Sequence, residues 1–102
     1  MHVDLSTKNL EITEDVRKLV DETLISKVDE LIEDVPEDQK VATVRIEKRP
    51  RWGYKVSFNM RLPRKKHIFA VEKDDRLQTT IVNLREQVMQ QIKKLKAGWR
   101  NY

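Results

Sequence analysis

Apolar and polar positions change their spacing three times along the chain, and each spacing predicts one kind of element. From His2 to Thr7, Val3 and Leu5 share one face while Asp4 and Ser6 share the other, the period of a short strand. After the loop Lys8-Asn9-Leu10-Glu11, Thr13 is placed to cap a helix. Glu14 and Asp15 follow in its first turn, near the positive end of the helix dipole. Val16, Leu19, Val20, Leu24, Val28, Leu31 and Val35 then form one helical stripe, and Pro36 sets the latest end of that helix. From Val41 the period becomes two. Ala42, Val44 and Ile46 alternate with Thr43, Arg45 and Glu47, and Tyr54, Val56, Phe58, Met60 and Leu62 alternate with Lys55, Ser57, Asn59 and Arg61.

Pro50 and Gly53 supply the turn chemistry of a hairpin loop over Lys48–Gly53, and a second turn is expected at Pro63–Lys66. A fourth strand follows from His67 to Glu72, with its phase open because Ile68, Phe69, Ala70 and Val71 are all apolar or small. The last helix opens near Asp74-Asp75 and carries Leu77, Ile81, Leu84, Val88, Ile92 and Leu95 at helical spacing. Gly98 is its expected C-cap, and Met60 and Met89 read as core or near-core residues. The order is β-α-β-β-β-α, an α+β fold in which a single four-stranded sheet has two helices packed on one face. Each clear strand has one apolar face, so the other sheet face is expected to be open and to show Arg45, Lys55 and Arg61.

The length of 102 residues fits one domain, taken as residues 1–102. With no cysteine there can be no disulfide framework, thiolate metal site or cysteine nucleophile, which suits a reducing cytoplasm. No apolar run approaches the ~20 residues that cross a bilayer, and Met1-His2-Val3-Asp4 does not resemble a secretion signal. Catalysis is not expected either. His2 and His67 lack metal-ligand spacing, two isolated glycines cannot build a phosphate loop, and no cofactor or small-molecule substrate is indicated.

Charge changes the picture. Residues 1–35 carry four basic and ten acidic side chains, and residues 36–102 carry 17 basic and seven acidic ones. Between Arg45 and Lys66 stand nine cations (Arg45, Lys48, Arg49, Arg51, Lys55, Arg61, Arg64, Lys65 and Lys66) against Glu47 alone. Trp52 sits among them. Phosphates need cations and unpaired bases need aromatic or guanidinium planes, so this segment is the candidate RNA-binding surface, extended by Arg85, Lys93, Lys94 and Lys96 of the last helix. The structural alternative has Trp52 covering a sheet edge and the cations keeping edge strands from pairing. The first helix instead holds eight acids against three bases, so the RNA-facing surface is expected to shift towards the sheet and the second helix.

Several stretches resemble one family in the same order. Asn9-Leu10-Glu11-Ile12-Thr13-Glu14-Asp15-Val16-Arg17 is similar to its "xVEITxxLR" start of the first helix, and Val71-Glu72-Lys73-Asp74-Asp75 to its "AExxD" step into the second. Leu77-Gln78-Thr79-Thr80-Ile81 stands where the family favours "LYAAI", and residues 88–96 resemble its "LxxQLxKxK" close. The chain thus resembles the ribosome hibernation promoting factor family, also called ribosome-associated inhibitor or sigma-54 modulation proteins, to about Lys96. That resemblance implies a cytoplasmic, monomeric, stress-response protein and not an enzyme. Its partners would be the small ribosomal subunit and its rRNA, and it would silence translation from the mRNA and tRNA channel. It also implies a short form without the further C-terminal domain of long forms. Departures lie at Glu22 and Thr23, where the family often has two lysines, at Thr79-Thr80 for its Ala-Ala pair, and at Val82 for its Asp. The first helix also reads one residue longer around Ile25-Ser26. Two other readings stand beside this one: a general structured-RNA binder, disfavoured by the leading strand, and a protein-interaction regulator docking through the acidic first helix.

Overall fold

Strict alternation along the middle of the chain fixes one sheet face as apolar, and the helices close over that face. The computed structural model describes residues 1–51 and 53–100, with side chains to Ala97. Its strands are β1 (His2–Lys8), β2 (Val41–Lys48), β3 (Tyr54–Leu62) and β4 (Lys66–Asp74), side by side in that order. β1 runs parallel to β2, while β2–β3 and β3–β4 are antiparallel. The chain order is the expected β-α-β-β-β-α. Ala42, Val44, Ile46, Val56, Phe58, Met60, Leu62, Ile68 and Ala70 point inward and form one core with Val20, Leu24, Val28, Ile32, Ile81, Leu84, Val88 and Ile92 of the helical segments. The phase of β4 is therefore settled: Ile68 and Ala70 are buried, and Phe69 faces out. Lys66, expected in the preceding turn, is already strand.

Thr13 caps the first helix, its Oγ1 accepting the Val16 N–H at 3.2 Å. This helix (residues 14–31) has α-helical turns at Glu14–Leu19 and Ser26–Leu31 with a π-helical segment, Val20–Ile25, between them. The reason lies in the apolar spacing. Val16, Val20, Leu24, Val28 and Ile32 recur every four residues. In a regular α-helix each such step overshoots a full turn by about 40°, so Val28 would lie about 120° from Val16. The wider π turn takes up one extra residue and returns Val20, Leu24, Val28 and Ile32 to one side, where all four are buried. Ser26 Oγ donates to the Glu22 carbonyl at 2.8 Å within the wide segment. The additional residue read around Ile25-Ser26 is thus stored as a bulge.

The first helix stops at Leu31, short of the limit set by Pro36, because Ile32 leaves helical geometry (φ −123°, ψ 33°). That turn still buries Ile32 and Val35 and leads through a single 3-10 turn, Glu37–Gln39, into β2. Lys40 closes the corner. Its side chain is buried, and its Nζ donates to Asp29 Oδ1 at 3.0 Å with Glu37 Oε2 at 3.7 Å, so this cation is held above the usual lysine range by the Asp29 carboxylate. The second helix runs Leu77–Arg100 straight through Gly98, so Gly98 is not its C-cap. Glycine weakens a helix by about 1 kcal/mol relative to alanine but does not force its end. Asp74 Oδ1 accepts the Arg76 N–H at 3.2 Å immediately before that helix, as the acidic Asp74-Asp75 lead-in anticipates.

The two helices should therefore differ in their response to a deletion. Removing Glu22 from the π segment shortens the Val20–Leu24 interval to three residues and leaves the others at four, which keeps these side chains on one side of a regular helix, and the melting temperature should move by less than about 5 °C. Removing Glu86 from the regular second helix turns Val88, Ile92 and Leu95 by about 100° away from the core and should lower it by more than about 10 °C. Thermal melts followed by circular dichroism compare the two.

Candidate nucleic-acid interface

With both helices on one side, the opposite sheet face is open, and the strand register places its side chains in rows. One row is Lys8, Glu47, Lys55 and Lys73, and the next is Ser6, Arg45, Ser57 and Val71. Then come Asp4, Thr43, Asn59 and Phe69, and finally His2, Val41, Arg61 and His67. Arg45, Lys55 and Arg61 thus lie on the open face as their alternation predicts. Both carboxylates of this face, Asp4 and Glu47, belong to β1 and β2. Asp4 Oδ1 lies 3.2 Å from His2 Nε2.

The remaining cations of the Arg45–Lys66 segment divide between the two ends of the sheet. Lys48, Arg49 and Arg51 are exposed where β2 passes to β3, and Trp52 lies outside the described residues. The Arg49 N–H donates to the Gly53 carbonyl at 3.0 Å and closes this loop. Gly53 holds φ +83°, and a Cβ there would stand 2.7 Å from the Asp74 carbonyl oxygen, so only glycine lets the loop lie against the end of β4. Arg64, Lys65 and Lys66 are exposed at the opposite end, about 30 Å away along the nine residues of β3. One cluster in sequence is two clusters in space, joined by the cations of the open face. A shallow depression lined by Arg45, Glu47, Lys55, Ser57, Phe69 and Val71 lies near one end, and another lined by Arg61, Leu62, Lys65, Lys66 and His67 lies at the other.

The β3–β4 turn has an unusual backbone. Arg64 and Lys65 both adopt left-handed geometry, with φ of 65° and 61°. Glycine or asparagine takes these angles at little cost, whereas other residues lose about 1–2 kcal/mol each. Two consecutive long cations in that conformation put charge on the tip of the turn against the preference of the backbone, a pattern associated with functional sites.

On the second helix the four candidate cations separate. Lys96 Nζ donates to Asp34 Oδ1 at 3.2 Å, tying the second helix to the turn that follows the first and holding the Asp34 carboxyl below its usual range. Arg85 pairs with Glu86 at 3.0 Å. Lys93 and Lys94 remain exposed. Lys94 follows Gln91 by three residues and shares its side of the helix, where Gln91 Nε2 donates to the Phe69 carbonyl at 2.9 Å and covers the edge of β4. Among the described residues no cluster of His, Asp or Glu has the arrangement of a metal site, and no helix is long and apolar enough to cross a membrane. Sequence reasoning missed Phe69, Val71 and Lys73 as members of the open face, because β4 is apolar on both sides at its centre.

The family model described as Sigma 54 modulation protein / S30EA ribosomal protein matches residues 3–99. Among solved structures, the chain is similar to the Protein Y N-terminal domain of Thermus thermophilus, at 22% identity and a TM-score of 0.79, covering 93% of this chain and 99% of that one. It is also similar to a ribosomal subunit interface protein from Coxiella burnetii, at 19% identity and a TM-score of 0.70, covering 95% and 99%. No curated protein matches the chain. At these identities the likeness to solved structures concerns the fold.

Replacing Arg64 by Asn and Lys65 by Gly should separate stability from binding. Relief of the left-handed backbone should stabilise the fold by about 1 kcal/mol, raising the melting temperature by several degrees. RNA affinity should fall, and the dependence of log K on log salt should become shallower by about two units if each cation meets one phosphate. Paired melting and salt-titration measurements check both arms.

Proposed function

The chain belongs to the sigma 54 modulation protein / S30EA ribosomal protein family of ribosome-binding hibernation proteins, which are not enzymes, and we propose that it silences idle ribosomes by occupying the small subunit's mRNA and tRNA channel. The observation that carries this reading is the distribution of charge about the sheet. Cations line the open face and both of its ends, while the acids of the first helix sit on the far side of the core. A duplex or folded RNA approaching the open face meets Arg45, Lys55, Arg61 and Lys73, with the two basic turns reaching past it at either end. Each phosphate neutralised releases counterions, so binding draws on salt-dependent electrostatics.

Within this reading the chain acts as one monomeric ribosome-binding unit in the cytoplasm, with rRNA as its main contact. The open face and the β3–β4 turn carry the interaction, Lys93 and Lys94 extend it, and Lys96 serves chiefly to hold the second helix to the turn after the first through Asp34. Asp21, Glu22 and Glu30, exposed on the first helix, face away from the RNA. Like charge would otherwise repel phosphates over about a Debye length, roughly 8–10 Å at moderate salt.

Co-sedimentation with isolated ribosomal subunits in sucrose gradients tests the proposal. The chain should travel with the small subunit, and added mRNA with tRNA should displace it. If around five phosphates are neutralised, affinity should fall by about two orders of magnitude or more between 50 and 200 mM salt. Binding that survives saturating mRNA and tRNA, or that ignores salt, would contradict channel occupancy.

A further inference from the structure

We propose that the open face of β3 and β4 is a stacking platform for an unpaired base of ribosomal RNA, with the Phe69 ring as its floor. The proposal rests on the ribosome-binding reading for the source of the RNA; the platform itself follows from the geometry. Phe69 is 54% exposed and stands at the centre of β4, although a buried position would stabilise the fold more. Its cross-strand partner is Asn59, not another apolar residue, and Asn59 Oδ1 is engaged with the His67 ring. No apolar residue opposite claims the face of the ring. His67 lies two residues away on the same side, about 7 Å along the strand, so two flat rings are presented in sequence. The Gln91 side chain bonded to the Phe69 carbonyl fixes the strand edge beneath them.

Charge decides the occupant. On this half of the face, among the described residues, β3 and β4 present Lys55, Arg61 and Lys73 and no carboxylate. A protein partner would need a broad apolar patch, whereas here Phe69 is accompanied only by Val71 and, two strands away on β2, Val41. One base needs one ring, and the phosphates on either side of it need cations at both ends of the strand. Arg61 stands on the row next to the Phe69–Asn59 pair, and Lys55 and Lys73 stand two rows away on its other side, beyond Ser57 and Val71. Stacking of this kind accepts any base, and duplex RNA cannot use it because its bases are already stacked.

The test is a titration of a mixed-sequence single-stranded RNA ten-mer carrying one 2-aminopurine, read by anisotropy and by quenching of that base on stacking. The wild-type chain is compared with Phe69→Ala and Phe69→Tyr, all three confirmed folded by circular dichroism. Phe69→Ala should weaken single-strand binding by about 5- to 100-fold and abolish the quenching. Phe69→Tyr should restore both, and affinity for a duplex of the same length should be the same for all three. Equal single-strand affinity and quenching for Phe69→Ala and the wild type would overturn the platform. So would a loss confined to intact small subunits, which would place the ring against a ribosomal protein. Sedimentation of the Phe69→Ala variant with small subunits equal to that of the wild type keeps the ribosome reading and overturns the platform. A wild-type chain that sediments with no subunit overturns the ribosome reading, whatever the oligonucleotide shows.

Discussion

Burial of Val44, Phe58, Met60 and Ile68 in one core with Leu24, Ile81 and Leu84 is the contact on which the rest of the molecule depends. Two helices cover one face of a four-stranded sheet and leave the other in water. Because successive side chains of a strand point to opposite faces, every residue between the buried ones is sent to that open side. In β3 the alternation is unbroken: Val56, Phe58, Met60 and Leu62 go in, and Lys55, Ser57, Asn59 and Arg61 go out. A slip of one residue would exchange the two sets, so the core that stabilises the fold also aims the cations.

The same packing separates charge of opposite sign. The sheet lies between the acidic first helix and the cations of the open face, and a repulsive surface is kept on the far side of an apolar layer. Where the signs meet, they meet as specific pairs. Lys40 and Asp29 join the end of the first helix to the start of β2, and Lys96 and Asp34 join the second helix to the turn after the first. The acids of the first helix and of the turn after it therefore have two duties, one in holding corners of the fold and one in leaving a single face attractive to polyanions. A sheet with cations at both ends and an aromatic ring at the centre of one edge strand suits an irregular RNA surface better than a regular duplex, since paired and unpaired regions would both find a partner.

Much of this was legible in the residues. Period two in β2 and β3, the Thr13 cap and the stripe of the second helix each gave an element in its observed place, and the exposure of Arg45, Lys55 and Arg61 followed from them. Other features depend on information that local spacing does not contain. Nothing in Ile68-Phe69-Ala70-Val71 says which pair faces the helices, and pairing with β3 decides it. The parallel partner of β1 is likewise a matter of tertiary packing. Intervals of four from Val16 to Ile32 did carry the signal of a π turn, which shows only when the drift of a regular helix is followed residue by residue. Lys40 reads as an ordinary surface cation until Asp29 and Glu37 close around it. The separation of Arg49 and Arg51 from Arg64 and Lys65 is invisible to a count of charges, because neighbours in sequence become opposite ends of a strand.

In the proposed complex, ribosomal RNA meets the open sheet face and the β3–β4 turn, with the first helix turned away. Hydrogen–deuterium exchange and hydroxyl-radical footprinting of the chain bound to the small ribosomal subunit measure this directly. Protection is expected of side chains at Arg61, Arg64, Lys65 and Phe69 and of the backbone of the β3–β4 turn, with Asp21, Glu22 and Glu30 as reactive as in the free protein. Protection concentrated on those acids, with an unchanged sheet face, would contradict this arrangement.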